Sequence, residues 1–179
     1  MSVQPTQRPS VVVPYDPEWP ARFEQERARL ETALAPWLDG GIHHIGSTAV
    51  PGLAAKPIID MLAGVRDLEE AVAAFPPLEA LGYTYREHRP EAYLLFQADR
   101  GVHLTEPGSD LWRERLAFRD ALRRDPALRA EYSAWKRAHG DGTGYSASKW
   151  PFVARVLAEA GVALKPDDER LVGPGASGR

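Results

Sequence analysis

Gly46-Ser47 and Asp60 are the residues whose types and spacing first suggest chemistry. They bracket "GSTAVPGLAAKPIID", in which a Gly-Ser pair follows a strand-like run and an acid stands inside the apolar "PIIDMLAGV". A glycine at a strand end lets backbone N–H groups approach an anion unobstructed, and the serine hydroxyl adds a donor. An ordinary turn is the plainer reading of a bare Gly-Ser pair. Asp60 weighs against it. With apolar residues on either side, its strand reads as buried on both faces, where an acid is costly unless it binds a cation or a dense hydrogen-bond set. A strand Asp that caps neighbouring amides is the structural alternative.

Other side chains could join such a site. His103, between Val102 and Leu104 in "RGVHLTEP", points to one face of its strand. An imidazole there could act as a base near neutral pH or ligate a softer metal such as manganese or zinc, or it could be a core histidine with its nitrogens satisfied. Glu106 would face the opposite way if the strand persists, which makes it a weaker candidate. His43 and His44 alternate faces and read as structural. Lys56, just before Pro57, stands at the mouth of the Asp60 strand, where it could neutralise a phosphate or pair with Asp60. Arg119, between the apolar Phe118 and Leu122, suggests a positioned guanidinium for a phosphate or carboxylate, or an internal ion pair. Lys149 follows Gly142, Gly144 and Tyr145, a flexible loop entering a helix, and could close over a ligand. Trp112 and Trp135 have apolar partners at helical spacing and read as core, and "RRDPALR" reads as a solvated helix junction.

The elements that must position these residues follow from periodicity and turn chemistry. "YDPEWPARFEQERARLETAL" predicts a helix capped by Asp16, with Pro17 in its first position and Trp19, Phe23, Leu30 and Leu34 on one face. Strands are expected over 41–45, 57–65, 83–86, 92–98 and 101–105. Between the second and third, "DLEEAVAAFPPLEALG" predicts a helix interrupted at Pro76-Pro77 and ended by Gly82. From Pro107 onward the pattern is helical, with a restart at Asp125-Pro126. The expected fold class is α+β, a mixed sheet of about five strands with flanking helices and a helical C-terminal half. One domain over 11–165 is expected, with residues 1–10 and 166–179 as disordered termini.

Bulk properties narrow the partners. The chain has 179 residues, 22 Lys plus Arg against 25 Asp plus Glu, and a net charge of −3. That balance gives no reason to expect a nucleic-acid partner through bulk electrostatics. No cysteine is present, which excludes disulfides, thiolate zinc sites and thiol nucleophiles. No apolar run approaches the roughly 20 residues of a membrane span, so a soluble cytoplasmic protein is the expectation.

Four segments carry a resemblance: "VPYDPEWPARFEQE", "HIGSTAVPGLAAKPIIDML", "FRDALRRDPALRAEY" and "YSASKWPF". Together they resemble the GrpB-like family, a branch of the nucleotidyltransferase superfamily, over roughly Val12 to Ala160. The resemblance implies a nucleotidyltransferase-like fold. It also implies that Gly46-Ser47 hold a triphosphate and that Asp60 holds magnesium; His103, read from its own residue type, is the further candidate ligand for magnesium or manganese. Lys136 and Lys149 recur in the family-like segments "EYSAWK" and "YSASK", and join Lys56 and Arg119 as candidates for substrate binding. One departure matters. The superfamily's second acid, two residues after the first and on its face, is here Leu62, which argues against a standard two-metal mechanism. The expectation is a protein that binds a nucleoside triphosphate and transfers a nucleotidyl group to a small acceptor. The alternative is a non-catalytic nucleotide- or coenzyme A-related binding module, since GrpB-like domains also occur joined to dephospho-coenzyme A kinases.

Overall fold

The computed structural model describes residues 11–87, 89–139 and 145–164, and of 145–148 the helical backbone alone. The expected disordered termini at 1–10 and 166–179, and the loop holding Gly142 and Gly144, lie outside the described residues. The chain divides into two compact units, Met1–Arg115 and Leu116–Arg179.

In the first unit, helix α1 spans Trp19–Leu34 and buries Trp19, Phe23, Leu30 and Leu34 as their spacing predicts. Its start differs from expectation. The Asp16 carboxylate accepts the Glu18 amide at 2.9 Å and the Asp16 carbonyl accepts that of Trp19 at 3.1 Å, a turn that closes over Pro17. The helix therefore begins later, and Pro20 takes the place in its first turn. Glu26 shares the buried face at 2% exposure. Its carboxylate accepts from Arg29 and Arg100 at 2.8 Å each and from the Tyr83 hydroxyl at 3.0 Å. Burial, and then the negative charge of Glu26, push the Tyr83 hydroxyl far above its ordinary 10.0.

The strands are β1 (Leu38–Ile45), β2 (Ile59–Val65), β3 (Thr84–Arg86), β4 (Tyr93–Gln97) and β5 (Arg100–Thr105), in the spatial order β1-β2-β5-β4-β3. Only β2 and β5 run parallel; the other neighbours are antiparallel, so the sheet is mixed. Alternation divides β2 between two faces. Ile59, Met61, Ala63 and Val65 join the core formed with α1, while Asp60, Leu62 and Gly64 face the other way. Gly64 is needed there, since a Cβ would meet the Asp39 carbonyl oxygen at 2.0 Å. A 3-10 turn at Glu70–Ala74 leads into helix α2, Phe75–Ala80. Pro76 and Pro77 fall in the first turn of α2, where their missing N–H groups cost nothing, so they start this helix instead of interrupting it.

Helix α3, Asp110–Arg124, contains the boundary between the units. In the second unit, α4 (Pro126–His139) and α5 (Tyr145–Glu159) bury Leu128, Tyr132, Phe152, Val156 and Leu157. Trp112 and Trp135 are half-buried, contrary to the core reading: Trp112 packs edge-on to His43, and Trp135 stacks on His139 at 4.4 Å. Among the described residues no helix is long and apolar enough to cross a membrane.

Candidate functional site

The antiparallel pairing of β1 with β2 sets Ile45 opposite Asp60. The next residue, Gly46, leaves the strand at φ +73°, and a Cβ on it would lie 3.1 Å from Asp60 Oδ2 and 3.3 Å from Asp60 Cβ. The glycine thus passes against the acid. The backbone then winds through a 3-10 turn over Ser47–Ala49, with the Ala49 and Val50 amides donating to the Gly46 and Ser47 carbonyls at 3.2 Å each. Gly46 is exposed, and Ser47, Lys56 and Asp60 are half-buried. The turn and the acid, separate in sequence, share one place at the end of the sheet.

Register fixes the rest of that face. Leu62 stands opposite His43 on one side and His103 on the other, and His103 is opposite Leu94. Asp60 is opposite Gly101, so Asp60 and His103 are diagonal neighbours on adjacent strands. Leu62 has no exposure and His103 only 6%, which sets the imidazole deeper than the half-buried acid. Glu106 lies past the end of β5, and its carboxylate accepts the Leu68 amide at 3.1 Å. His43 Nε2 sits 2.9 Å from the Gly40 carbonyl, and His44 stacks flat on Phe23 at 4.7 Å, in keeping with structural roles. One carboxylate and one imidazole make a set of two. Among the described residues no group of three or more His, Cys, Asp or Glu is arranged to hold a metal ion. A magnesium ion that is also held by phosphates needs only one or two protein carboxylates.

In the second unit Lys136 and Lys149 gather round one ring. Lys136, 4% exposed, has its ammonium 4.6 Å from the centroid of Tyr132, and that of Lys149 lies 5.4 Å from both Tyr132 and Phe118. Tyr132 stacks on Phe152 at 5.1 Å and meets Phe118 edge-on at 5.5 Å. Both ammonium groups thus lie within cation–π range of the Tyr132 ring. Arg119, next to Phe118, donates from Nε to Asp120 at 2.7 Å, so part of its guanidinium is committed to an ion pair.

The sequence pattern of the GrpB protein family matches residues 9–159. The chain belongs to the GrpB family. A UPF0157 protein of Deinococcus radiodurans is 37% identical over 164 residues, which cover 87% of this chain and 84% of that protein. The crystal structure of GrpB from Enterococcus faecalis is similar at a TM-score of 0.75 and 31% identity, over 84% of this chain and 96% of that one. The structure of the GLD-2/RNP-8 complex reaches a TM-score of 0.50 at 19% identity, over 69% of this chain and 44% of that one, a likeness of fold alone. This GrpB chain has a nucleotidyltransferase-like α+β fold.

Two residues beside these candidates, one in each unit, escape a reading by sequence. Tyr132, the ring beneath both lysines, carries one signal, its place four residues before Lys136. Thr48 gives none, because a threonine after Gly-Ser reads as part of the turn.

Proposed function

We propose that this GrpB protein binds the triphosphate of a nucleoside triphosphate at Gly46-Ser47 and Asp60, and transfers its nucleotidyl group to a small acceptor. The observation that carries the reading is the contact between exposed Gly46 and half-buried Asp60. A glycine turn and an acid stand side by side at the end of β1 and β2, the pair that a phosphate and its bound cation would need. Magnesium or manganese enters as part of the substrate. Ser47 donates to a phosphate oxygen, and Lys56 adds positive charge at the mouth. Transfer joins the acceptor oxygen to the α-phosphorus and releases pyrophosphate. The acceptor's proton passes to a base, for which His103, diagonal to Asp60 on the same face, is the candidate.

A second reading is favoured by Leu62. A fully buried leucine fills the place of a second acid beside Asp60, which suits a binding module that holds a nucleotide without turning it over. A thermal-shift panel of nucleotides and coenzyme A, each with magnesium, manganese or no metal, tests binding. A shift with triphosphates that Ser47→Ala and Asp60→Asn reduce is the expected result, and no shift with any nucleotide overturns both readings. Pyrophosphate release with a mixed pool of acceptors separates them. Release that Asp60→Asn and His103→Ala abolish supports transfer, whereas nucleotide binding with no release in any arm supports the module.

A further inference from the structure

Thr48 is polar yet buried, one residue past the Gly46-Ser47 pair. Its hydroxyl donates to the Ile58 carbonyl at 2.9 Å and lies 3.0 Å from His44 Nε2. A hydroxyl carries one proton. With that proton on the Ile58 carbonyl, the Thr48 oxygen accepts, and His44 Nε2 must be the donor. His44 is itself buried on β1, with its ring stacked at 10° on Phe23 of α1. A continuous chain therefore runs from α1 through His44 and Thr48 to the carbonyl two residues before Asp60. It ties the first residues of the connection between β1 and β2 to its last. The middle is pinned separately, because Val13 and Ala55 exchange amide hydrogen bonds at 2.9 and 3.0 Å.

We infer that His44 and Thr48 are positioning residues, a hydrogen-bonded clamp that holds the Gly46-Ser47 turn against Asp60 before any ligand arrives. The inference rests on the nucleotide reading above for its consequence in binding, but the clamp itself is a property of the empty turn. A connection of this length would otherwise sample many shapes, and each ligand would have to bear the cost of ordering it. Clamping both ends of the connection removes that cost in advance. The arrangement also explains why a histidine stands in the core of β1 where an apolar residue would suffice for packing.

The test uses the full chain with Thr48→Val, which keeps the shape and removes the hydroxyl, and Thr48→Ser, which restores it. His44→Phe keeps an aromatic ring against Phe23 and removes the donor. The first readout is amide hydrogen exchange at Ala49 and Val50, with Leu95 and Val102 in the central strands as the internal measure of global stability. The second is the affinity for magnesium-bound triphosphate. Thr48→Val and His44→Phe should speed exchange at Ala49 and Val50 relative to Leu95 and Val102, and weaken triphosphate binding about three- to tenfold. Thr48→Ser should restore both readouts. Unchanged relative exchange in Thr48→Val, or no recovery in Thr48→Ser, overturns the clamp whether or not nucleotides bind. Faster exchange in a protein whose wild type binds no nucleotide upholds the clamp and overturns the nucleotide reading instead.

Discussion

Replacing Gly46 with alanine tests its service to the site, because the same connection supplies a second positive-φ glycine for comparison. Gly46 and Gly52 have nearly equal positive φ, +73° and +78°. A positive φ strains an L-residue at both positions, and Gly46, with ψ −171°, lies in the region open essentially to glycine alone. Their surroundings differ. A Cβ at Gly52 meets nothing within 4 Å, whereas at Gly46 it lies 3.1 Å from Asp60 Oδ2 and 3.3 Å from Asp60 Cβ. Asp60 must then give way by a few tenths of an ångström, and leaving its rotamer costs about 0.5–1.5 kcal/mol more. Urea titration of the two variants should place Gly46→Ala below Gly52→Ala by at least that difference. The ligand response should diverge further. A triphosphate at a hundred times its dissociation constant stabilises its partner by about 2.7 kcal/mol, and Gly52→Ala should retain that gain. Gly46→Ala should lose most of it, since the new methyl group occupies the space between the turn and the acid. Equal destabilisation of the two variants, with an equal ligand shift, would refute the idea that Gly46 serves the site.

Further predictions concern the supports of that site. Tyr83→Phe should remove an alkaline weakness. Below the ordinary phenol value of 10.0 Tyr83 is protonated in both states; above it the unfolded chain loses the proton that the folded chain keeps, so stability falls by up to about 1.4 kcal/mol per pH unit. Denaturant midpoints from pH 9 upward should decline less steeply in the variant, and identical slopes would count against the buried pairing with Glu26. Glu26→Gln should cost about 3 kcal/mol or somewhat less, because Arg29 and Arg100 lose a shared carboxylate while keeping partial access to water; calorimetry reads the loss, and a change under 1 kcal/mol would contradict it. Leu62→Asp should cost at least the roughly 2–3 kcal/mol that burial of a leucine contributes, while Leu62→Met should cost under about 1.5 kcal/mol. A Leu62→Asp protein as stable as the wild type would mean that this place is open to water.

What could be read in advance was whatever depended on neighbours in sequence. Trp19, Phe23, Leu30 and Leu34 declare their helix face by spacing, and Asp60 stands out because its own strand is apolar on both sides. The partners of Glu26 could not be read that way. Its spacing from Phe23 and Leu30 sets it on the buried face, but Tyr83 and Arg100 lie 57 and 74 positions away. Pro76-Pro77 misled because proline forbids the interior of a helix but favours its beginning, and the choice depends on where the preceding 3-10 turn ends. The adjacency of Gly46 to Asp60 was legible as a possibility only; the strand register makes it a contact. The gathering of Lys136 and Lys149 at Tyr132 depends on how α4 and α5 pack, which local pattern does not encode.

The strand order also bears on how the chain is assembled. β1 and β2 form an antiparallel ribbon from residues close in sequence, and β3, β4 and β5 form a second one by successive hairpins. The ribbons meet along a single parallel seam, β2 with β5, whose partners are about 40 positions apart, such as Leu62 and His103. Pairings of that separation close late, since loop entropy must be overcome before the contact gives anything back. On a ribosome, the turn and its acid would emerge within one ribbon well before the seam can form. Until then β2 carries an unpaired edge of strongly apolar residues, the kind of edge that invites pairing with another chain. The same strand that presents Asp60 is thus the one whose exposure during synthesis the cell has to outrun.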